Sequence, residues 1–371
     1  MAKKKSDSFQ EDSLEKNSLK KKNIFRHKFF YIVIIFLLVL ILTFFAAYLA
    51  SLEPKSEEIS KCGDGTFYET CSLDKPFYCE EGILTEKASL CGCESPESFN
   101  FKKDGDFCVP NQGTSSKDVP LKYLLEGEIH RFNYTVYEEV NEYVSNVTRE
   151  IVYESDEIPF RTNFKLLSVN EEVQRAMLMP LVKKIQNLAP DSKTDQARIA
   201  LSIVQNIPYG SSNKTFSFGD EEVDYSRYPY EILFENQGIC GEKSELASFL
   251  LKELGFGVSI FYFVEENHEA VGIKCPVKES LYGTGFCFVE TGGPSIISDH
   301  EMEFIGGIKL ESVPEVMIIS EGISLPENMK EYRDAQTLKQ IRDRSFIGIL
   351  KSWRYDNIRE RYGLDGDYEL N

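Results

Sequence analysis

The sequence predicts an α+β fold, and three observations carry that expectation. A helix-forming segment opening at Cys240 is followed by three short β-rich segments separated by turns, the pattern of a helix laid on an antiparallel sheet. Ahead of it, six cysteines crowd into residues 62–108, and ahead of those residues 29–50 form an uninterrupted run of 22 uncharged residues. Together they divide the chain into a membrane helix, a small disulfide-rich module and a mixed helix–sheet core.

At 371 residues the chain has room for two or more domains, and a hydrophobic content of 42% with 12% aromatic residues is enough to build a core. The net charge of −18 argues against nucleic acid as a partner. That charge is unevenly placed. Residues 1–28 hold nine basic against four acidic residues, a net +5, which leaves −23 for the remainder. This basic stretch reads as a cytoplasmic tail. As a helix, residues 29–50 extend about 33 Å, which matches a hydrocarbon core of ~30 Å. The lipid bilayer is therefore an expected partner through residues 29–50. With the basic cluster before the run and Glu53, Glu57 and Glu58 after it, the positive-inside rule keeps the N-terminus cytoplasmic and the C-terminal part outside the cell. A cleaved signal peptide is the rival reading; the run is long for one, and Ala46, Ala47 and Ala50 make a weak cleavage site.

Residues 58–110 form the cysteine-rich module, with Cys62, Cys71, Cys79, Cys91, Cys93 and Cys108. A segment of this size buries too little apolar surface to fold by packing alone, so disulfides formed in an oxidising compartment are the expected staple. Six cysteines allow 15 pairings and the spacing does not choose among them. Zinc is disfavoured, because Cys91 and Cys93 lack the two-residue gap of a metal knuckle and no histidine is near. Asn133, Asn146 and Asn213 each begin an Asn-X-Thr triplet, which permits glycosylation on the exported side.

Residues 111–121 are polar and rich in Pro, Ser and Gly, and read as a linker. Residues 122–189 form a mixed region leading into the core. Within it, residues 134–153 read as strand or irregular structure, and Asn170 is placed as the cap of a helix running to Leu188 that Pro180 should kink or divide. The core spans residues 190–325. Ser192 and Asp195 resemble a capping box opening a second helix that Pro208 ends, and residues 209–230 read as a long loop. The helix from Cys240 carries Leu246, Ala247, Leu250, Leu251 and Leu254 on one face, with Gly255 as its stop. Residues 258–264, 268–275 and 286–290 are strand-like, and weaker strand signals fall at 304–310 and 315–320. Residues 326–371 close the chain with a charged amphipathic helix and a tail.

Cys240 stands where a helix begins, so unpaired N–H groups and the positive end of the helix dipole favour its thiolate, with Lys243 one turn on adding positive charge. A cysteine nucleophile needs a base, and the four histidines are His27, His130, His268 and His300. His27 falls in the basic tail, and His300 beside Asp299 reads as solvated loop. His268 opens a strand two segments after Cys240. Antiparallel pairing of 268–275 with 286–290 would bring Glu290 next to it, as the acceptor that fixes the imidazole ring. Glu265, Glu266 and Glu269 are rival acids, although Glu269 should point to the other face of its strand. The Cys240 backbone N–H is a natural oxyanion donor, with Gln237 a candidate for the second. Cys275 and Cys287 lie on the paired strands as a fourth bridge or as two buried thiols. The former would leave Cys240 alone and reduced.

The order Cys240, His268, Glu290 on helix, strand and strand resembles the transglutaminase-like superfamily. The likeness covers roughly residues 190–296, through QARIALSIVQNIPY, RYPYEILFENQGICGEKS, NHEAVGIKCP and GFCFVETGGP. In detail the chain is similar to archaeal membrane-anchored members with a cysteine-rich segment before the core. The resemblance implies a transglutaminase/papain-like α+β core, a helix packed on an antiparallel sheet, preceded by a single transmembrane helix and a small disulfide-rich module. It further implies acyl transfer or amide hydrolysis through a thioester, with Cys240 as nucleophile, His268 as base and acid, and Glu290 orienting. Two positions depart from it: the acid is Glu where Asp is more usual, and Gly241 stands where animal cross-linking members carry Trp. The expected substrate is a protein or peptide at the cell surface. A non-catalytic adhesion or scaffold protein on the same fold is the alternative. No metal or nucleotide motif is present, so no cofactor is expected.

Overall fold

The helix opening at Cys240 lies against a four-stranded antiparallel sheet, and the ends of these elements bring the candidate residues together. The computed structural model describes residues 34–45, 61–111, 115–154, 159–218, 221–302, 309–342 and 349–364. By its contacts the chain divides into two units, Met1–Glu58 and Ile59–Asn371.

The first unit corrects an expectation. Among the described residues no helix is long and apolar enough to cross a membrane, so the single transmembrane helix expected over residues 29–50 is not seen. The described part of this unit is helical, residues 34–45 (α1). The rest of that run, the 1–28 tail and residues 46–60 lie outside the described residues.

The second unit begins with two small hairpins, β1 (Phe77–Glu80) with β2 (Ile83–Glu86) and β3 (Phe101–Asp104) with β4 (Phe107–Pro110), separated by the short helix α2 (Ala88–Cys91). Cys62 is bridged to Cys79, Cys71 to Cys91 and Cys93 to Cys108. A long hairpin follows, β5 (Ser116–Leu125) with β6 (Glu128–Tyr137), so most of the expected 111–121 linker is strand. Helix α3 (Glu138–Ser145) then occupies part of the stretch read as strand or irregular. Next come α4 (Arg161–Val169), α5 (Glu172–Leu188) and α6 (Lys193–Gln205). Asn170 ends α4 rather than opening α5, whose cap is Glu171, with a carboxylate that accepts from the Val173 and Gln174 N–H groups. Pro180 sits inside an undivided α5, which is held by the buried face of Met177, Leu178, Leu181, Val182 and Ile185. Ser192 caps α6 as expected, accepting from the Asp195 N–H at 3.1 Å.

The cysteine-rich segment is docked on α5. Asn187 exchanges two hydrogen bonds with the Leu84 backbone, at 2.9 and 2.7 Å, and the buried Lys183 meets Asp64 at 3.1 Å and Asp74 at 2.8 Å.

The expected loop at 209–230 contains a hairpin, β7 (Thr215–Phe218) with β8 (Glu221–Asp224), and the short helix α7 (Pro229–Glu235). Helix α8 (Cys240–Glu253) follows, then β9 (Val258–Phe263), β10 (His268–Lys274), β11 (Phe286–Val289) and β12 (Glu315–Ser320). Their order in the sheet is β11-β10-β9-β12 and every neighbouring pair is antiparallel. Side chains alternate across it. Val258, Ile260, Val271, Ile273 and Val289 join Leu246, Leu250 and Leu251 of α8 in the main core, while Phe261, Phe263, Ala270, Phe286 and Phe288 form a second cluster. Residues 303–308, most of the expected strand at 304–310, lie outside the described residues. The closing helix is described as two pieces, α9 (Lys330–Arg342) and α10 (Ile349–Tyr362).

Candidate active site

Helix α8 starts at Cys240 because the chain before it is pinned. Asn236 takes a left-handed backbone (φ 54°) that ends α7, and Ile239 is extended ahead of the first turn. Between them Gly238 exchanges backbone bonds with the 208–210 stretch, at 3.2 Å to the Pro208 carbonyl and 3.3 Å from the Gly210 N–H. Glu242 accepts from the Ile239 N–H at 3.0 Å and from the Arg227 N–H at 2.7 Å. The buried Arg227 guanidinium lies 2.9 Å from the same carboxylate, so the acid in this first turn is offset by a fixed cation. The positive end of the helix dipole is thus left to act on Cys240.

Cys240 is half-buried and is the single cysteine of the chain outside a disulfide. Cys240 is near enough to His268 to bear on the charge of its ring. The His268 Nε2 lies 2.8 Å from Glu290 Oε2. Glu290 is fixed in turn, its Oε1 accepting from the Thr291 N–H at 3.0 Å and the Gly292 N–H at 2.6 Å. Burial works against charge on the ring, but the hydrogen bonds to Cys240 and Glu290 and the charges of both outweigh it and hold His268 up to about 10. At neutral pH the imidazole therefore carries two protons.

Three further side chains belong to this centre, two of which, Thr291 and Tyr209, were not assigned roles from sequence. Thr291 Oγ1 donates to the Cys240 carbonyl at 3.1 Å and lies 2.9 Å from Ser244 Oγ, lacing the turn after β11 to the first turns of α8. Tyr209 is half-buried, and burial together with the charges of Cys240, Glu290 and Glu242 pushes its hydroxyl up, so that it keeps its proton. Lys243, read from sequence as a simple positive charge, is fully buried and pushed down to about 7 by that burial, against the opposing pull of Glu290 and Cys240. Gln237 sits half-buried beside Gly210, where an added Cβ would come within 2.8 Å of its Oε1.

Two of the three rival acids are engaged elsewhere, and the third, Glu265, is exposed. Glu269 faces Lys165 at 2.6 Å and Arg161 at 3.6 Å, and Glu266 accepts from the backbone N–H groups of Glu311 and Ser312 at 2.7 and 2.8 Å. Cys275 and Cys287 are bridged across β10 and β11. His300 is half-buried, not solvated: its ring lies 6.4 Å from that of Phe288 and 5.8 Å from that of Tyr282, and burial pushes its value down. His130 stacks on Tyr123, and His27 lies outside the described residues. Asn133, Asn146 and Asn213 are all exposed. Among the described residues no three His, Cys, Asp or Glu side chains are grouped to hold a metal ion.

No family model matches the chain, and no curated protein matches it. Among solved structures it is similar to LapG of Legionella pneumophila, at 12% identity and a TM-score of 0.23 over 46% of this chain and 74% of that one. A calcium-bound LapG structure matches at the same identity and score, over 92% of its length. The link is a weak and distant likeness of fold.

Proposed function

We propose that this protein is a thiol enzyme that opens amide bonds through a thioester on Cys240, acting on a protein or peptide as a peptidase or amidase. One observation carries the reading: a single imidazole meets a carboxylate that two backbone N–H groups hold in place, and the unpaired cysteine that opens α8 is near enough to bear on its charge. This is the arrangement a cysteine nucleophile requires.

The nucleophilic form of a cysteine is its thiolate. It attacks the carbonyl carbon of the substrate, forming a C–S bond and a tetrahedral oxyanion. His268 then passes its proton to the leaving nitrogen, the C–N bond breaks and the amine departs. Next, His268 takes a proton from water, the resulting hydroxide attacks the thioester, and the C–S bond breaks to release a carboxylic acid. An amine in place of that water gives transamidation by the same steps. Cys240 opens α8, and the first N–H groups of a helix have no partner within it, so its backbone N–H is available to the oxyanion. Tyr209, which keeps its proton, supplies a second donor, with Gln237 the other candidate. The remaining eight cysteines form four disulfides, which supports placing this part of the chain in an oxidising compartment.

The test is labelling by iodoacetamide at pH 7, followed by peptide mapping. Cys240 is expected to be the modified residue and to lose its reactivity in His268→Ala. A folded, oxidised sample that takes up no label at Cys240 would overturn the proposal and leave a scaffold.

A further inference from the structure

Behind the Cys240–His268–Glu290 group stands a lysine with no solvent contact. Lys243 is 0% exposed, and its Nζ donates to the carbonyls of Ile207 at 2.7 Å, Gly292 at 2.8 Å and Gln205 at 3.5 Å. Burying an amine is costly unless its donors are used, and an ammonium has three. Three acceptors from two separate segments match that number. Filling the same volume in a core takes only a leucine or methionine, so the amine needs a reason.

The acceptors supply one. Gln205 closes α6 and Ile207 follows it, while Gly292 lies in the turn after β11. The two segments are also joined without the lysine, since Gln205 Nε2 donates to the Glu290 carbonyl at 2.9 Å and to Ser295 Oγ at 3.0 Å. Lys243 reaches the part of the turn that this bond does not. It holds the Gly292 carbonyl, and the N–H of the same residue donates at 2.6 Å to Glu290 Oε1, whose partner oxygen is 2.8 Å from His268.

We infer that Lys243 is the positioning residue of this site: it clamps the Gly292 turn to the end of α6, and so holds the Glu290 carboxylate on His268 and His268 on Cys240. The inference rests on the reading of Cys240 and His268 given above.

Lys243→Met keeps the volume and the unbranched shape and removes the donors. Two readouts are taken on the full chain: the rate of iodoacetamide uptake at Cys240 at pH 7, and the titration midpoint of the His268 imidazole by NMR, assigned with His268→Gln. A clamp predicts that Glu290 drifts from His268, so the midpoint falls by a pH unit or more and labelling slows at least tenfold. Removing the lysine without moving Glu290 would instead leave the midpoint in place or raise it. A folded Lys243→Met with a raised or unchanged midpoint therefore overturns the inference, even if labelling changes. Should this variant not fold, Lys243→Leu, which likewise has no donor, is read by the same criteria. The midpoint also separates this inference from the reading beneath it. Absence of label on the wild type would remove the thiol-enzyme proposal, while a midpoint falling on Lys243→Met would still establish the clamp.

Discussion

Glu290 meets His268 on a diagonal, not straight across the strand pair. In the β10–β11 register Val271 stands opposite Val289, so the position across from Glu290 is Ala270, two residues beyond His268. Glu290 lies one residue past the end of β11, and its longer side chain bridges the offset to bring Oε2 within 2.8 Å of Nε2. The methylene that a glutamate has over an aspartate thus has a geometric use here.

Replacing that carboxylate by its amide tests how the ring is oriented. In Glu290→Gln the Oε1 position can still accept from Thr291 and Gly292, but the amide nitrogen would face Nε2 and force it to become the acceptor. The neutral ring would then carry its proton on Nδ1 and could not take one there from the thiol. Labelling at Cys240 is expected to slow about 100-fold or more. A Glu290→Gln protein labelled at the wild-type rate would show that Glu290 does not orient the base.

Gly241 follows Cys240 where an added side chain would crowd Glu269. A Cβ there would come within 2.8 Å of Glu269 Oε2, the oxygen that meets Lys165 at 2.6 Å. Gly241→Ala is expected to displace this carboxylate and lower stability by about 1–2 kcal/mol in urea unfolding. A Glu269→Ala background should absorb the added methyl, and a double variant no less damaged by it would refute the steric account.

The elements that build the site differ in how visible they were in the sequence. Helix α8 and strands β9 to β11 announce themselves because Leu246, Leu250 and Leu254 recur at helical spacing and the strands are runs of Val, Ile and Phe between turns. Helix α7 does not, since Tyr230, Ile232 and Leu233 in its seven residues are buried together and leave no amphipathic period. The β5–β6 hairpin was hidden by exposed polar residues at Ser116, Lys117 and Asp118. Its signal was the Glu126–Gly127 pair, whose backbones are left-handed at φ 53° and 88°. Lys243 was least legible of all. A lysine in a helix is ordinarily solvated, and its burial depends on carbonyls that lie 36 and 49 positions away along the chain.

Arg227 is the buried support of the Cys240 turn. Its guanidinium pairs with Glu242 at 2.9 Å and Glu235 at 2.6 Å and also donates to the Gly210 and Ser211 carbonyls at 3.1 Å each. Arg227→Met would leave Glu242 charged and uncompensated in a dry site, at a cost of about 3–5 kcal/mol. Chemical denaturation measures this loss, and the double variant Arg227→Met with Glu242→Gln should recover part of it. No recovery would mean that the stranded charge is not the cause.

The proton on His268 links the site to folding. Its value of about 10 in the folded protein exceeds the ordinary 6.5, because the bonds to Cys240 and Glu290 and their charges outweigh the burial that opposes them. Between those limits the folded chain holds a proton that the unfolded chain has released, so the stabilisation is complete below pH 6.5 and is lost as pH rises toward 10. Lys243 works the other way. Burial brings it from 10.5 down to about 7, and between those values the unfolded chain binds the extra proton and stability rises with pH. In the wild type the two slopes oppose each other across much of this range. Removing one exposes the other: His268→Gln should become more stable as pH rises from 7 to 9, and its deficit against wild type should shrink by up to about 1.4 kcal/mol per pH unit. Urea melts of both proteins at pH 6, 7, 8 and 9 measure the deficit directly. A deficit constant across that series would mean that His268 titrates alike in the folded and unfolded chain, and the hydrogen-bonded imidazolium on which the mechanism depends would have no thermodynamic support.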